Sequence, residues 1–219
     1  MNDFKRLEGK KIALIGGAGF IGHNLAVHLQ SLGAKVDIVD GMQVNNLLSL
    51  VDNIDNLPYP ELSRAIINER TQLLKNAEIN IRVQDARDYH ALSKLLSDIK
   101  PNIIIQLAAV SHANRSNKDP YSTFDHSFRT LENSLDWSRG GTSNVEQFIF
   151  FSSSMVYGNF KSDQVDEDTN CEPLGIYGAL KYGSEKIIIG YNQTFGLPYT
   201  IIRPSALYGE RCISRRVGQ

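Results

Sequence analysis

Cysteine is scarce in this chain. Two occur among 219 residues, Cys171 and Cys212. Two thiols make no spaced framework, so a disulfide scaffold is excluded and a reducing cytoplasm is the expected compartment. The five histidines are scattered without metal-ligand spacing, and no metal site is expected. Charge of one sign is lacking too: 23 basic residues face 24 acidic ones, for a formal net charge of −1. Without a basic run, a nucleic-acid surface is not expected. No apolar stretch approaches membrane length. The N-terminal Met1-Asn2-Asp3-Phe4-Lys5-Arg6 leads only into an apolar run of strand length, so neither a membrane span nor a secretory leader is read. Internal repeats and low-complexity segments are also missing.

What is present is an alternation of strand and helix signals, over a length that suits one α/β domain or slightly more. The alternation implies a doubly wound parallel sheet. Strands are expected at about 11–15, 35–39, 79–83, 103–107, 148–152 and 199–203. Helices are expected at about 20–32, 61–77, 88–98, 120–139 and 177–195, with ends uncertain by ~2–4 residues.

Two motifs stand out. The first is Ile15-Gly16-Gly17-Ala18-Gly19-Phe20-Ile21-Gly22. It follows the apolar run Lys11-Ile12-Ala13-Leu14-Ile15, a buried parallel strand by its pattern, and opens a helix that ends at Gly33. Glycines at a strand-to-helix turn let a pyrophosphate approach backbone N–H groups that a Cβ would block. The next strand, Lys35-Val36-Asp37-Ile38-Val39-Asp40, ends in the acid such a site needs. A carboxylate there accepts hydrogen bonds from adenosine ribose hydroxyls and repels a 2′-phosphate. No Arg or Lys follows Asp40 until Arg64, so NAD rather than NADP is expected.

The second motif is Tyr177-Gly178-Ala179-Leu180-Lys181, with Ser152-Ser153-Ser154 upstream of it. Tyrosine is a poor base at its reference pKa of ~10, and must fall by ~2–3 units, or ~3–4 kcal/mol, to work near neutrality. One positive charge at ~4 Å contributes ~4 kcal/mol at an effective dielectric of ~20. Lys181 can be that charge, because residues four apart share a helix face. An oxidised nicotinamide would add a second. With the glycine turn, the pair points to hydride exchange between a sugar-like alcohol and a nicotinamide.

The order of these motifs resembles the extended short-chain dehydrogenase/reductases, in the NAD-dependent nucleotide-sugar epimerase and dehydratase branch. Gly16, Gly19 and Gly22 meet that family's glycine pattern, with Phe20 and Ile21 inside it. Asp85-Ala86-Arg87-Asp88 resembles the segment after its third strand, whose first acid lies by the adenine. Gln106-Leu107-Ala108-Ala109 resembles the end of its fourth strand, with Gln in place of His. Phe151-Ser152-Ser153-Ser154-Met155-Val156-Tyr157-Gly158 resembles the end of the fifth. Ile202-Arg203-Pro204-Ser205-Ala206-Leu207-Tyr208-Gly209 resembles the lead into the substrate domain. The resemblance implies a catalytic Ser153, Tyr177 and Lys181. It implies NAD contacts from Gly16, Gly19, Phe20, Ile21, Gly22, Asp40, Asp85, Ala86, Leu107, Ala108, Ala109, Tyr177, Lys181 and Arg203. Substrate contacts are implied for Ser153, Ser154 and Tyr157; Tyr157 could equally pack beneath the sheet rim. In the helix after the fourth strand, Ser127 takes the position of a family Asn.

The family's sugar 4,6-dehydratases place acid groups just after the catalytic serine. Ser154 and Met155 stand here, and neither can be the acid or base that water elimination needs. The expected activity is therefore NAD-dependent 4-epimerisation of a nucleotide-sugar. A sugar-nucleotide 4-reductase, a 4,6-dehydratase and a catalytically silent NAD-binding protein remain alternatives. The implied fold is the Rossmann sheet over 1–204. The chain stops at Arg215-Arg216-Val217-Gly218-Gln219, about where relatives begin the rest of their substrate domain. Residues 205–219 are thus expected to start a truncated or disordered substrate-binding region, with the C-terminal substrate domain largely absent. The stretch from Gly41 to Asn80 is long for a crossover. It carries a short helix at Val44-Asn45-Asn46-Leu47-Leu48-Ser49-Leu50 and the breaker Pro58-Tyr59-Pro60, and reads as an insertion beside the adenosine end.

Relatives dimerise through the helices near 120–139 and 177–195, and a homodimer is implied here. In the first, Tyr121, Phe124, Phe128, Leu131 and Leu135 recur at alternating steps of three and four, a stripe that suits either the chain's own sheet or a partner. The second contains Ile187-Ile188-Ile189, an apolar arc of ~200° at ~100° per residue, more than one sheet covers.

Overall fold

The computed structural model describes residues 7–43, 47–48, 59–110, 113–141 and 143–213. Six parallel strands form one sheet: β1 (Lys11–Ile15), β2 (Lys35–Asp40), β3 (Asn80–Val83), β4 (Ile103–Gln106), β5 (Gln147–Phe151) and β6 (Tyr199–Ile202). Their spatial order is β3-β2-β1-β4-β5-β6. The helices are α1 (Phe20–Ser31), α2 (Pro60–Asn76), α3 (Tyr89–Ile99), α4 (Ala113–Lys118), α5 (Pro120–Phe124), α6 (Thr130–Ser138) and α7 (Gly175–Phe195). Between β1 and β4 the winding reverses, so their carboxyl ends open a crevice, the usual place for a ligand in such sheets.

Strand β1 shows why its sequence is an unbroken apolar run. Successive side chains point to opposite faces. Ala13 and Ile15 join a core with Leu92, Leu96, Leu131, Leu135 and Phe148. Ile12 and Leu14 join the other core, with Ala26, Ile38 and Leu74. Both faces are covered, so no polar alternation survives. Helix ends follow local chemistry. Pro60 opens α2 where its missing N–H costs nothing. Asp88 caps α3 by accepting from Ala91 N at 3.0 Å. Gly196 ends α7 in the left-handed region at φ 70°.

One expectation needs correction. The C-terminal substrate side is not largely absent. Helix α5, a π turn at Asp125–Arg129, α6 and β6 make a substantial C-terminal helical and strand region. Beyond β6 the described chain runs on to residue 213 with partners of its own: Ser154 N donates to the Pro204 carbonyl at 2.9 Å. Arg211 reaches His23 and Asn24 on α1. Comparing chain length with relatives missed this, because partners rather than length decide whether a segment is ordered.

The helix expected at 120–139 is helical throughout 120–138 and carries one π turn, at Asp125–Arg129. The π turn inserts between α5 and α6 and rotates the apolar stripe. Leu131 and Leu135 therefore enter the core, while Tyr121 and Phe124 are left 86 % and 51 % exposed. Of the inserted stretch after Gly41, residues 44–46 and 49–58, with most of the expected short helix, lie outside the described residues.

Candidate active site

A cleft of about 560 Å³ opens at the carboxyl ends of β1, β4 and β5. All but two of the residues expected at the site line it. The exceptions are Tyr157 and Arg203.

The glycine turn forms one wall, and each glycine has its own reason. Gly16 sits at φ +79°, and a Cβ there would stand 2.6 Å from Ala108 N. At Gly22 a Cβ would meet the Gly17 carbonyl oxygen at 2.2 Å, so helix and turn could not close. Gly19 is different. A Cβ there would meet only Gly16 O, at 3.8 Å, so packing does not demand glycine. What glycine does provide is room in the cleft beside the N-terminus of α1. No side chain caps that N-terminus and no acid lies in its first turn. Its backbone N–H groups and positive dipole end suit an anion.

Asp40 closes the adjacent corner. Its two carboxylate oxygens accept from Ala18 N at 2.9 Å and Met42 N at 2.7 Å. Burial pushes its pKa up, and these two backbone bonds oppose the rise. Each oxygen keeps a further lone pair for a ligand hydroxyl. Asp85 lies next along the cleft. Arg87 Nη2 approaches it at 2.6 Å, and the Arg87 hydrogen bonds hold its carboxyl down at about 2. Arg87 also bridges to Asp125 at 2.6 Å. Leu107, Ala108 and Ala109 follow β4 as the floor, fixed where Ala108 N donates to Ile15 O at 2.8 Å.

The third wall holds Ser153, Tyr177 and Lys181. Ser153 caps a 3-10 turn at Ser154–Tyr157, its hydroxyl accepting from Met155 N at 3.2 Å. Burial raises the Tyr177 phenol above its ordinary pKa, and a hydrogen bond with Ser153 opposes that. Lys181 Nζ donates to the Phe151 carbonyl at 2.6 Å and lies 6.0 Å from the Tyr177 ring centre. Burial pushes the Lys181 ammonium down to about 8, with the Glu185 charge opposing.

Tyr157 and Arg203 stand behind this wall. Tyr157 is buried, and its hydroxyl oxygen accepts from Arg203 Nη1 at 3.0 Å. Arg203 also grips Glu185 with two donors, Nε at 3.1 Å and Nη2 at 2.7 Å. The Ser152 hydroxyl donates to the same carboxylate. Glu185 was missed by sequence reasoning, though a signal existed: it follows Lys181 by four residues, as Lys181 follows Tyr177. Arg70 was missed as well. It lies on α2, 30 residues beyond Asp40, and lines the same cleft while only 2 % exposed.

Comparison with known proteins fits this geometry. The chain matches the NAD dependent epimerase/dehydratase family over residues 12–218. It is 30 % identical to a Bacillus subtilis (strain 168) protein named as an uncharacterized UDP-glucose epimerase, YtcB, over 92 % of this chain and 58 % of that one. It is 26 % identical to a dTDP-D-glucose 4,6-dehydratase of Dictyostelium discoideum, over 96 % and 47 % of the two chains. Among solved structures it resembles the UDP-glucuronic acid 4-epimerase of Bacillus cereus, in complex with UDP-glucuronic acid and NAD. The TM-score there is 0.74, at 26 % identity, covering 92 % of this chain and 58 % of that one. The chain thus spans about half the length of the curated relatives it matches. It belongs to the NAD dependent epimerase/dehydratase family.

Proposed function

We propose that the protein holds NAD in this cleft and epimerises a nucleotide-sugar at its C4 hydroxyl. One observation carries the reading: Ser153, Tyr177 and Lys181 converge on the same cleft as the uncapped α1 N-terminus and Asp40. Relatives named for acting on UDP-glucose and UDP-glucuronic acid support the substrate class.

The cleft residues fit the dinucleotide. The α1 N-terminus and the space beside Gly19 would take the diphosphate, Asp40 the adenosine ribose, and Asp85 with Ala86 the adenine side. Bound NAD would supply a hydride acceptor and a positive charge. Tyr177 takes the proton of the sugar C4 hydroxyl and later returns it. Ser153 bridges the sugar oxygen and the tyrosine hydroxyl, lowering the cost of separating that proton. Lys181 fixes the polarity of the pocket from its seat on Phe151. In the protein alone, burial raises the phenol pKa, so Tyr177 rests protonated and acts as a base only beside added positive charge.

Ser154 and Met155 line the cleft where an eliminating enzyme needs an acid or base, which favours epimerisation over dehydration. The protein is expected to act as a homodimer. The 86 % exposed Tyr121 and 51 % exposed Phe124 on α5 suit a partner's helix. The reading assigns it to the cytoplasm, where the thiols Cys171 and Cys212 stay reduced; no helix among the described residues is long and apolar enough to cross a membrane. Incubation with NAD and UDP-glucose or UDP-glucuronic acid, followed by proton NMR of the C4 configuration, tests the activity. Formation of a 4-keto-6-deoxy sugar would favour the dehydratase instead. NAD binding without turnover of any nucleotide-sugar would favour a silent binding protein.

A further inference from the structure

We propose that Gln43 is the side chain that reads the adenine of the dinucleotide, and that Asp85 acts through it as a positioning residue. This rests on the NAD reading above.

Asp85 is the acid expected beside the adenine, but its carboxylate is already occupied. Its Oδ1 accepts from Arg87 N at 2.9 Å, and its Oδ2 from Arg87 Nη2 at 2.6 Å and Gln43 Nε2 at 3.1 Å. Arg87 Nε is shared between the two oxygens, at 3.0 and 3.1 Å. Four donors thus meet a carboxylate with about four lone-pair sites. The Arg87 hydrogen bonds hold this carboxyl at about 2, so it is ionised and can only accept. An adenine amino group finds no free acceptor on it.

Gln43 lies just past the end of β2 and lines the cleft beside Asp85, Ala86 and His126. It is half-buried. Its amide spends one N–H on Asp85, and its Oε1 lies 3.3 Å from His126 Nε2. Among the described residues it has no further side-chain partner. A side-chain amide carries two N–H donors and two acceptor lone pairs, so one of each is left over. That remainder complements adenine, whose amino group stands next to a ring-nitrogen acceptor.

The orientation of the amide makes the match selective. A free amide can turn over and exchange its nitrogen for its oxygen. Turning over here would set Oε1 against the Asp85 carboxylate and replace a charge-assisted hydrogen bond with repulsion. His126 favours the same orientation when both its ring nitrogens carry protons, because each faces an acceptor: Nδ1 the Ser122 carbonyl at 2.9 Å, and Nε2 the Gln43 oxygen. Held this way, Gln43 suits adenine and not hypoxanthine, in which a keto oxygen replaces the amino group. On its N7 edge hypoxanthine presents two acceptors, so Oε1 would face an oxygen. On its N1 edge donor and acceptor are reversed, which an amide held by Asp85 cannot follow. A site built to hydrogen-bond one group rejects the analogue that leaves its own polar atoms unpaired.

Calorimetry with NAD and nicotinamide hypoxanthine dinucleotide tests this on the wild type, Gln43→Leu and Asp85→Asn, each with a thermal melt. The wild type should bind NAD roughly tenfold more tightly than the hypoxanthine form, ~1.4 kcal/mol. Gln43→Leu should bind the two within about twofold of each other. Asp85→Asn can donate as well as accept, so Gln43 is free to turn over, and the preference should narrow to about threefold. Gln43→Ala takes the place of the leucine variant should that one fail to melt cooperatively. A Gln43 variant that weakens both dinucleotides equally and keeps the preference would mean a merely structural role and overturn the assignment. So would loss of the preference in Asp85→Asn alone, which would give the adenine to Asp85 itself. A wild type that binds both dinucleotides equally well overturns this assignment and leaves the NAD reading standing. A wild type that binds neither overturns both.

Discussion

The Lys181 ammonium is seated on the Phe151 carbonyl, 2.6 Å away, at the end of the strand that leads into Ser152 and Ser153. The sheet rather than the tyrosine fixes the lysine. One strand end therefore positions both the serine and the cation, and α7 brings Tyr177 and Lys181 down onto it.

That seat is costly, which gives a stability prediction. Burial holds the Lys181 pKa at about 8 in the fold against its ordinary 10.5, so below pH 8 the fold carries a buried charge that the unfolded chain keeps in water. The destabilisation is ~3 kcal/mol at ~1.36 kcal/mol per unit. Between the two values the unfolded chain binds more protons, so stability rises with pH there. Lys181→Met removes the buried charge and leaves the Phe151 carbonyl unpaired, an opposing loss of ~1–3 kcal/mol. The variant's stability relative to wild type should be greatest at pH 6–7 and decline steadily from pH 8 to 10.5. Urea melts across that range check it; a difference independent of pH would contradict the buried charge.

Asp40 makes the second prediction. NAD should bind at least about tenfold more tightly than NADP, or ~1.4 kcal/mol. Asp40→Asn should narrow that gap. It should also cost ~1–3 kcal/mol, because both oxygens accept backbone N–H bonds and an amide nitrogen would face one donor with another. Titration of both dinucleotides and a thermal melt read the two effects separately. Equal affinities in the wild type would remove Asp40 from cofactor choice.

The buried pair behind the site makes the third. Glu185 is 1 % exposed and Arg203 18 %, with two hydrogen bonds between them. Arg203→Met alone takes the guanidinium from a buried carboxylate and leaves it the Ser152 hydroxyl and the nearby Lys181 charge, which should cost up to ~3–5 kcal/mol. Replacing both by Met should recover most of that. Denaturant melts of the single and double variants decide it; a double variant no better than the single would show that Ser152 and Tyr157 depend on the charges themselves.

The fourth concerns assembly. Sedimentation at micromolar concentration should show a dimer, and Tyr121→Glu should shift it toward monomer. A wild-type monomer would leave the exposed α5 aromatics without the partner proposed for them.

Much of the site was legible because its signals are local. An apolar run buried on both faces, glycines at a strand-to-helix turn and an acid at the next strand's end each need only a few residues of context. Tyr177 and Lys181 share a helix face by spacing alone. Non-local features were not legible. Arg70 reaches the cleft only because α2 packs on α1, and nothing around it in sequence says so. The π turn at Asp125–Arg129 rotates the Tyr121-to-Leu135 stripe without any local mark. The ordering of the C-terminal region depends on Arg211 finding α1, a contact 187 residues away in sequence from Asn24. Glu185 was the exception, visible in its spacing from Lys181 and overlooked.

The most direct test of the account uses UDP-glucose and UDP-glucuronic acid carrying deuterium at C4, given to the wild type and to Tyr177→Phe with NAD present. The wild type should form the C4 epimer of at least one of them with the deuterium retained at C4. Tyr177→Phe should bind NAD within about twofold of wild type yet form no epimer, since it lacks only the proton acceptor. Loss of the label to solvent, or an active Tyr177→Phe, would contradict the assignment of Tyr177 and the chemistry built on it.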